Sequence, residues 1–114
     1  MSASTETAGG VEMMPLSRAM NAGLRRALAE DDRVLLMGED IGPLAEFGDQ
    51  FVIDTPLAES GIVGTAIGLA LAGFRPVCEI QFDGFVFPAF DQITTQLAKL
   101  TYRLGGTQHF PIVI

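Results

Sequence analysis

Tryptophan is absent from this 114-residue chain, and cysteine, histidine and tyrosine occur once each. A lone Cys78 excludes an internal disulfide and suits a reducing compartment. A lone His109, placed just before an apolar run, leaves no Cys/His cluster at metal-ligand spacing and reads as a surface or turn histidine. Basic residues are scarce, seven Lys and Arg against fourteen Asp and Glu. The resulting net charge of −7 argues against a nucleic acid or an anionic membrane as partner. No GxGxxG follows a strand-like run, and no P-loop lysine motif is present. The longest uncharged run, 60–74, contains four glycines and falls short of the roughly 20 apolar residues needed to span a bilayer. The first dozen residues lack the apolar core of a secretory signal, so a cytoplasmic location is expected.

What is present is apolar: 48% of the residues are hydrophobic and 18% charged, enough for a buried core. Residues 1–12 read as a disordered leader. Leu16, Met20, Leu24 and Leu28 then recur every fourth residue, with arginines on the other faces, which predicts an amphipathic helix stopped at Asp31–Asp32. The acids Glu30–Asp32 read as a solvated helix end. The run Val34–Met37 predicts a short buried strand, and FVIDTP a second. Residues 41–50 are loop-like, punctuated by Gly42, Pro43 and Gly48. Residues 60–73 predict a helix, and FRPVCEIQF a third strand with Pro76 near its start. Phe87, Phe90, Ile93, Leu97, Leu100 and Leu104 predict a further amphipathic helix, ended by Gly105–Gly106, and FPIVI a fourth strand. Alternation of this kind predicts an α/β domain of three layers, a mainly parallel sheet with helices on both faces, cut short at Ile114 as in a fragment of a longer polypeptide.

Glu59 stands at the mouth of the uncharged helix and has two readings. A carboxylate in a first helical turn is favoured by the macrodipole by about 0.3–1 kcal/mol, with Thr55 as an N-cap and Pro56 at the first helical position. However, Glu59 lies four residues after Thr55, and a capping box needs three. Gly61, Gly64, Gly68 and Ala72 fall on one face at steps of three or four. Each interior glycine costs about 1 kcal/mol against alanine, so the stripe implies close approach of another helix, as at a subunit interface. The opposite side, with Ile62, Ile67, Leu69 and Leu71, is assigned to the sheet. Cys78 reads as a small buried hydrophobe.

The spacing Glu59, four residues, Gly64, Thr65, two residues, Gly68, Leu69 resembles the pyrimidine-side motif of thiamin-diphosphate enzymes. Thr65 departs from the apolar preference at its position. The segments LLMGEDIG, DTPLAESGIVGTAIGLALAGFRPVCEIQF and FPAFDQITTQLAKLTYRLGG are similar to the N-terminal part of the β subunit of 2-oxoacid dehydrogenase E1 components, over residues 13–114. FPAFDQI after EIQF looks most like the branched-chain type, with the pyruvate dehydrogenase type next. The resemblance implies thiamin diphosphate as cofactor, with Glu59 hydrogen-bonded to N1′ of the aminopyrimidine so that its 4′-nitrogen can take the C2 proton. It implies further that Leu57 lies against the pyrimidine edge, Gln81 near it, and Phe85 on the ring; core packing is the alternative for Phe85. The interface residues Gly61, Gly64, Gly68 and Ala72 would meet a partner subunit. Implied partners are an E1 α subunit carrying the diphosphate and Mg²⁺ site, a second β subunit in an α2β2 assembly, and a lipoyl-bearing E2. The chain alone would be inactive.

Two departures accompany the resemblance. The connection at 41–50 is shorter than in the family, and the family's proton-relay histidine lies beyond Ile114, so His109 is not given that role. Rival readings are an acetoin dehydrogenase β subunit, a transketolase-like synthase, or a non-catalytic α/β module whose glycine helix serves oligomerisation alone.

Overall fold

The computed structural model describes residues 7–8 and 11–114. Most of the leader expected at 1–12 therefore lies outside the described residues; within it, β1 (Thr7–Ala8) pairs antiparallel with β2 (Val11–Glu12). The domain itself is built from α1 (Leu16–Glu30), β3 (Val34–Gly38), β4 (Val52–Asp54), α2 (Glu59–Leu71) and β5 (Arg75–Glu79). The three strands form a parallel sheet in the order β4-β3-β5.

β3 is buried along its whole length because both of its faces are covered. Val34 and Leu36 point to one face, where they join Leu28 of α1 and Ile41, Leu44 and Val52. Leu35 and Met37 point to the other and pack with Ile62 and Ala66 of α2 and with Cys78 of β5. This period-2 division of one strand between two helical layers is the three-layer α/β architecture expected from the sequence. Burial also pushes the Cys78 thiol up to about 11, so it behaves as a core residue and not as a nucleophile.

Several boundaries differ from the sequence expectation. Of the apolar stripe on α1, only Leu24 and Leu28 reach the core, while Leu16 and Met20 are exposed. Fifteen helical residues extend about 22 Å and five strand residues about 16 Å, so the first turns of α1 overshoot the sheet. The acids at the end of α1 are more than a solvated terminus. The Asp31 carboxylate accepts hydrogen bonds from Arg33 Nη2 (2.8 Å) and Nε (2.9 Å) and faces Arg75 Nη1 at 3.3 Å. Arg33 foremost holds the Asp31 carboxyl well below the usual carboxylate range. On α2 the sheet side is Ile62, Ala66 and Leu69, whereas Leu71 is exposed.

The last expected helix is three pieces. A 3-10 segment, Asp83–Ala89, contains Pro88. It leads into a helix whose middle, Gln92–Leu97, has π register before it ends as α3 (Ala98–Arg103). Gly105 and Gly106, at φ 64° and 75°, terminate it as expected. The fourth strand is reduced to one parallel bridge, Val77 with Val113, in which Cys78 donates to the Val113 carbonyl at 2.8 Å.

Gly38 closes β3 where only glycine fits. Its φ is +152°, and an added Cβ would lie 2.2 Å from the Glu79 carbonyl oxygen. Gly38→Ala is therefore expected to lower stability by on the order of 2–3 kcal/mol, read as an earlier midpoint in urea unfolding with an unchanged slope. A midpoint equal to that of the parent chain would contradict this account of the β3–β5 approach.

Candidate functional site

Parallel strands release their chains at one edge, and the register aligns Gly38 with both Asp54 and Glu79. Glu39, Thr55 and the turn carrying Gln81 therefore leave the sheet side by side at its carboxyl edge, where open α/β sheets build their sites. α2 begins at the same edge, with Ala58 as its N-cap and Glu59 as its first residue. Thr55 is not the cap. Its backbone N–H donates to the Gly38 carbonyl at 2.8 Å, which keeps it on the extension of β4, and its hydroxyl is buried with no partner among the described residues.

Two carboxylates are buried at this edge, Glu39 at 4% exposure and Glu59 at 8%. Both Glu39 oxygens lack a hydrogen-bond partner among the described residues. Burial first, and the neighbouring charge of Glu59 second, raise the Glu39 carboxyl above its ordinary value. No group among the described residues hydrogen-bonds the Glu59 carboxylate, which leaves its lone pairs free for a ligand. Near the start of the same helix, an apolar hollow of about 180 Å³ is lined by Met37, Thr55, Pro56, Ala58, Gly61, Ile62 and Thr65, though not by Glu59 itself. Such an edge offers a buried acceptor with a second acid in electrostatic reach, an arrangement suited to holding a proton at a ligand nitrogen.

The other residues named from sequence are distributed around this edge. Phe85 belongs to the 3-10 segment that packs on α2, and its ring meets Phe82 edge-to-face at 5.3 Å between centroids. Leu57, in the turn before α2, is 70% exposed, and Gln81, in the turn after β5, is exposed as well. Neither is buried with Glu59. Gly61, Gly64, Gly68 and Ala72 line an exposed face of α2, with open space above Gly64 and Gly68. The helix is thus covered on its sheet side and by the segment 83–97, but not along its glycine stripe. His109 is exposed, and among the described residues no group of three His, Cys, Asp or Glu side chains is placed to hold a metal ion. No helix among them is long and apolar enough to cross a membrane.

Sequence reasoning missed Glu39. The signal available was an acid set directly after a fully apolar strand, in LLMGED, where the chain has not yet left the core. Because the folded carboxyl is raised, the folded state holds a proton that the unfolded chain releases, so stability declines as pH rises above the ordinary value of 4.5. Glu39→Gln is expected to remove that decline and to leave the chain as stable as the parent, or more so, at pH 7. Denaturant midpoints measured from pH 4 to pH 8 check it; parallel curves for the two proteins would refute the assignment.

Residues 12–113 match the family described as transketolase, pyrimidine binding domain, and the chain belongs to that family. Among curated proteins it is similar to the pyruvate dehydrogenase E1 component subunit beta of Leifsonia xyli subsp. xyli, at 58% identity over 91% of this chain and 34% of the relative. The proteins of the same name from Staphylococcus epidermidis and Staphylococcus aureus are 46% and 47% identical over 89% of this chain and 34% of theirs. The chain spans about a third of the length of the curated relatives it matches. The 115-residue alignment with the Leifsonia protein is longer than the part of this chain it covers, so that relative carries residues with no counterpart here. These relatives bear the pyruvate name, and the preference for a branched-chain type finds no support among them.

Proposed function

We propose that this chain supplies the pyrimidine side of a thiamin diphosphate site in the E1 β subunit of a pyruvate dehydrogenase, working in the cytoplasm. The observation that carries the reading is Glu59, a buried carboxylate without a partner at the start of α2, in a chain similar to such β subunits. Thiamin diphosphate, when bound, supplies a carbon acid whose conjugate base adds to the carbonyl of a 2-oxoacid. The residues present fit that group. Glu59 holds the proton it shares with N1′ of the aminopyrimidine, and its apolar helix keeps water from competing for that bond. Phe85 offers a ring face to the pyrimidine, while Leu57 and Gln81 stand exposed at the same edge for contact with cofactor or partner. The diphosphate and its Mg²⁺ fall to an E1 α subunit, against which the glycine stripe of α2 packs. A second β subunit and a lipoyl-bearing E2 complete the working assembly.

The test is reconstitution with an E1 α subunit, followed by calorimetric titration with thiamin diphosphate and decarboxylation assays on pyruvate and on branched-chain 2-oxoacids. Cofactor binding with preference for pyruvate is the expected result. Preference for a branched-chain substrate would move the chain to that class. Binding of the α subunit without cofactor would leave α2 a purely associative helix.

A further inference from the structure

The helix from Phe90 to Arg103 passes through a π segment, Gln92–Leu97, that neither periodicity nor the proposed chemistry accounts for. A π turn holds one residue more than an α turn and persists only where its surroundings maintain it; such turns gather at functional sites. Widening a turn withdraws backbone donors from carbonyls that an α register would satisfy. Two threonines inside the segment add hydroxyl bonds to carbonyls four residues back. Thr94 Oγ1 donates to the Phe90 carbonyl at 2.8 Å, and Thr95 Oγ1 lies 2.6 Å from the Asp91 carbonyl and 2.8 Å from its carboxylate, giving its single proton to one of the two. Hydroxyl bonds to the carbonyl four residues back bend an α helix, and here both fall within the wider turn. The Gln92 carboxamide oxygen in the same turn is buried without a partner among the described residues.

The π segment and the 3-10 segment before it both pack against α2. Relaxing one turn to α register rotates whatever precedes it by about 100° and moves it by about 1.5 Å along the axis. Phe90, Phe87 and Phe85 all precede it. We propose that the π turn, held open by the hydroxyls of Thr94 and Thr95, fixes the position of the aromatic segment Phe82–Phe90 on α2 and thereby seats Phe85 at the pyrimidine side. The consequence for the cofactor rests on the function proposed above; the position of the segment does not. Thr94 and Thr95 are positioning residues.

The chain has no tryptophan, so Phe87→Trp places a single reporter in the segment. In that background, Thr94→Val with Thr95→Val keeps the shape of both side chains and removes both hydroxyls. The emission maximum is expected to shift in the valine pair and to remain in place when both threonines become serine. Deleting Gln96 removes the extra residue directly and is expected to give the valine-like emission with the thermal transition retained. Reconstituted with an E1 α subunit, the valine pair is expected to bind thiamin diphosphate at least tenfold more weakly at an undiminished melting temperature. Unchanged emission in the valine pair or in a folded Gln96 deletion overturns the proposal, as does equal displacement in the serine pair. Wild-type chain that fails to bind thiamin diphosphate overturns the proposed function and leaves the emission result to decide this one.

Discussion

Glu59→Gln, assembled with an E1 α subunit, is expected to lose roughly 10²- to 10⁴-fold in 2-oxoacid decarboxylation while still folding, associating and binding cofactor. The substitution conserves volume and leaves no broken bond inside the chain, because no described group hydrogen-bonds the Glu59 carboxylate. What disappears is an acid that can hold a proton at N1′. The amide can still accept or donate one hydrogen bond there, so binding survives. It cannot exchange a proton with the ring, so the proton-transfer steps slow. The structural alternative predicts a different pattern. A carboxylate that merely complements the α2 dipole contributes about 0.3–1 kcal/mol, and its loss would appear as a small stability change with turnover intact. Stopped-flow decarboxylation alongside calorimetry on the same preparation separates the two, and normal turnover in Glu59→Gln would sink the catalytic assignment.

The layering was legible because it follows from short-range pattern. An apolar run of four bounded by charge gives β3, and a small-residue helix between two such runs gives the crossover through α2. The reading weakened wherever a boundary depends on tertiary contact. Thr55 has the chemistry of a cap, yet its N–H is taken by the Gly38 carbonyl across the sheet, and the helix therefore begins three residues after Pro56. Phe87 and Leu97 keep their spacing of three and four whether the intervening turn is α or π, so periodicity could not expose the π segment. Within the candidate site, Glu59 was conspicuous for the uncharged helix behind it. Glu39 was not, since acids after a strand usually meet water; its burial, beside the charge of Glu59, appears only in the folded chain.

Gly64→Leu is expected to abolish association with the E1 α subunit without harming the isolated chain. A Cβ added at Gly64 meets nothing within 4 Å, and that face of α2 is exposed. Replacing a helix-interior glycine by leucine should even favour the helix, by up to about 1 kcal/mol. The same side chain between two packed helices is another matter. Stripes of small residues permit axes to approach closely, and a leucine projecting from the middle of the stripe would force the partner outward along the whole of it. Gly61, Gly68 and Ala72 would be separated from the partner as well, and the edge at Glu59 would be opened to water. Light scattering of the mixed subunits and thermal melting of the chain by itself give the two readouts. A mixed complex of undiminished mass would mean that α2 meets its partner on another face. A chain destabilised in isolation would mean instead that the stripe is packed internally, and the space seen above Gly64 argues against that.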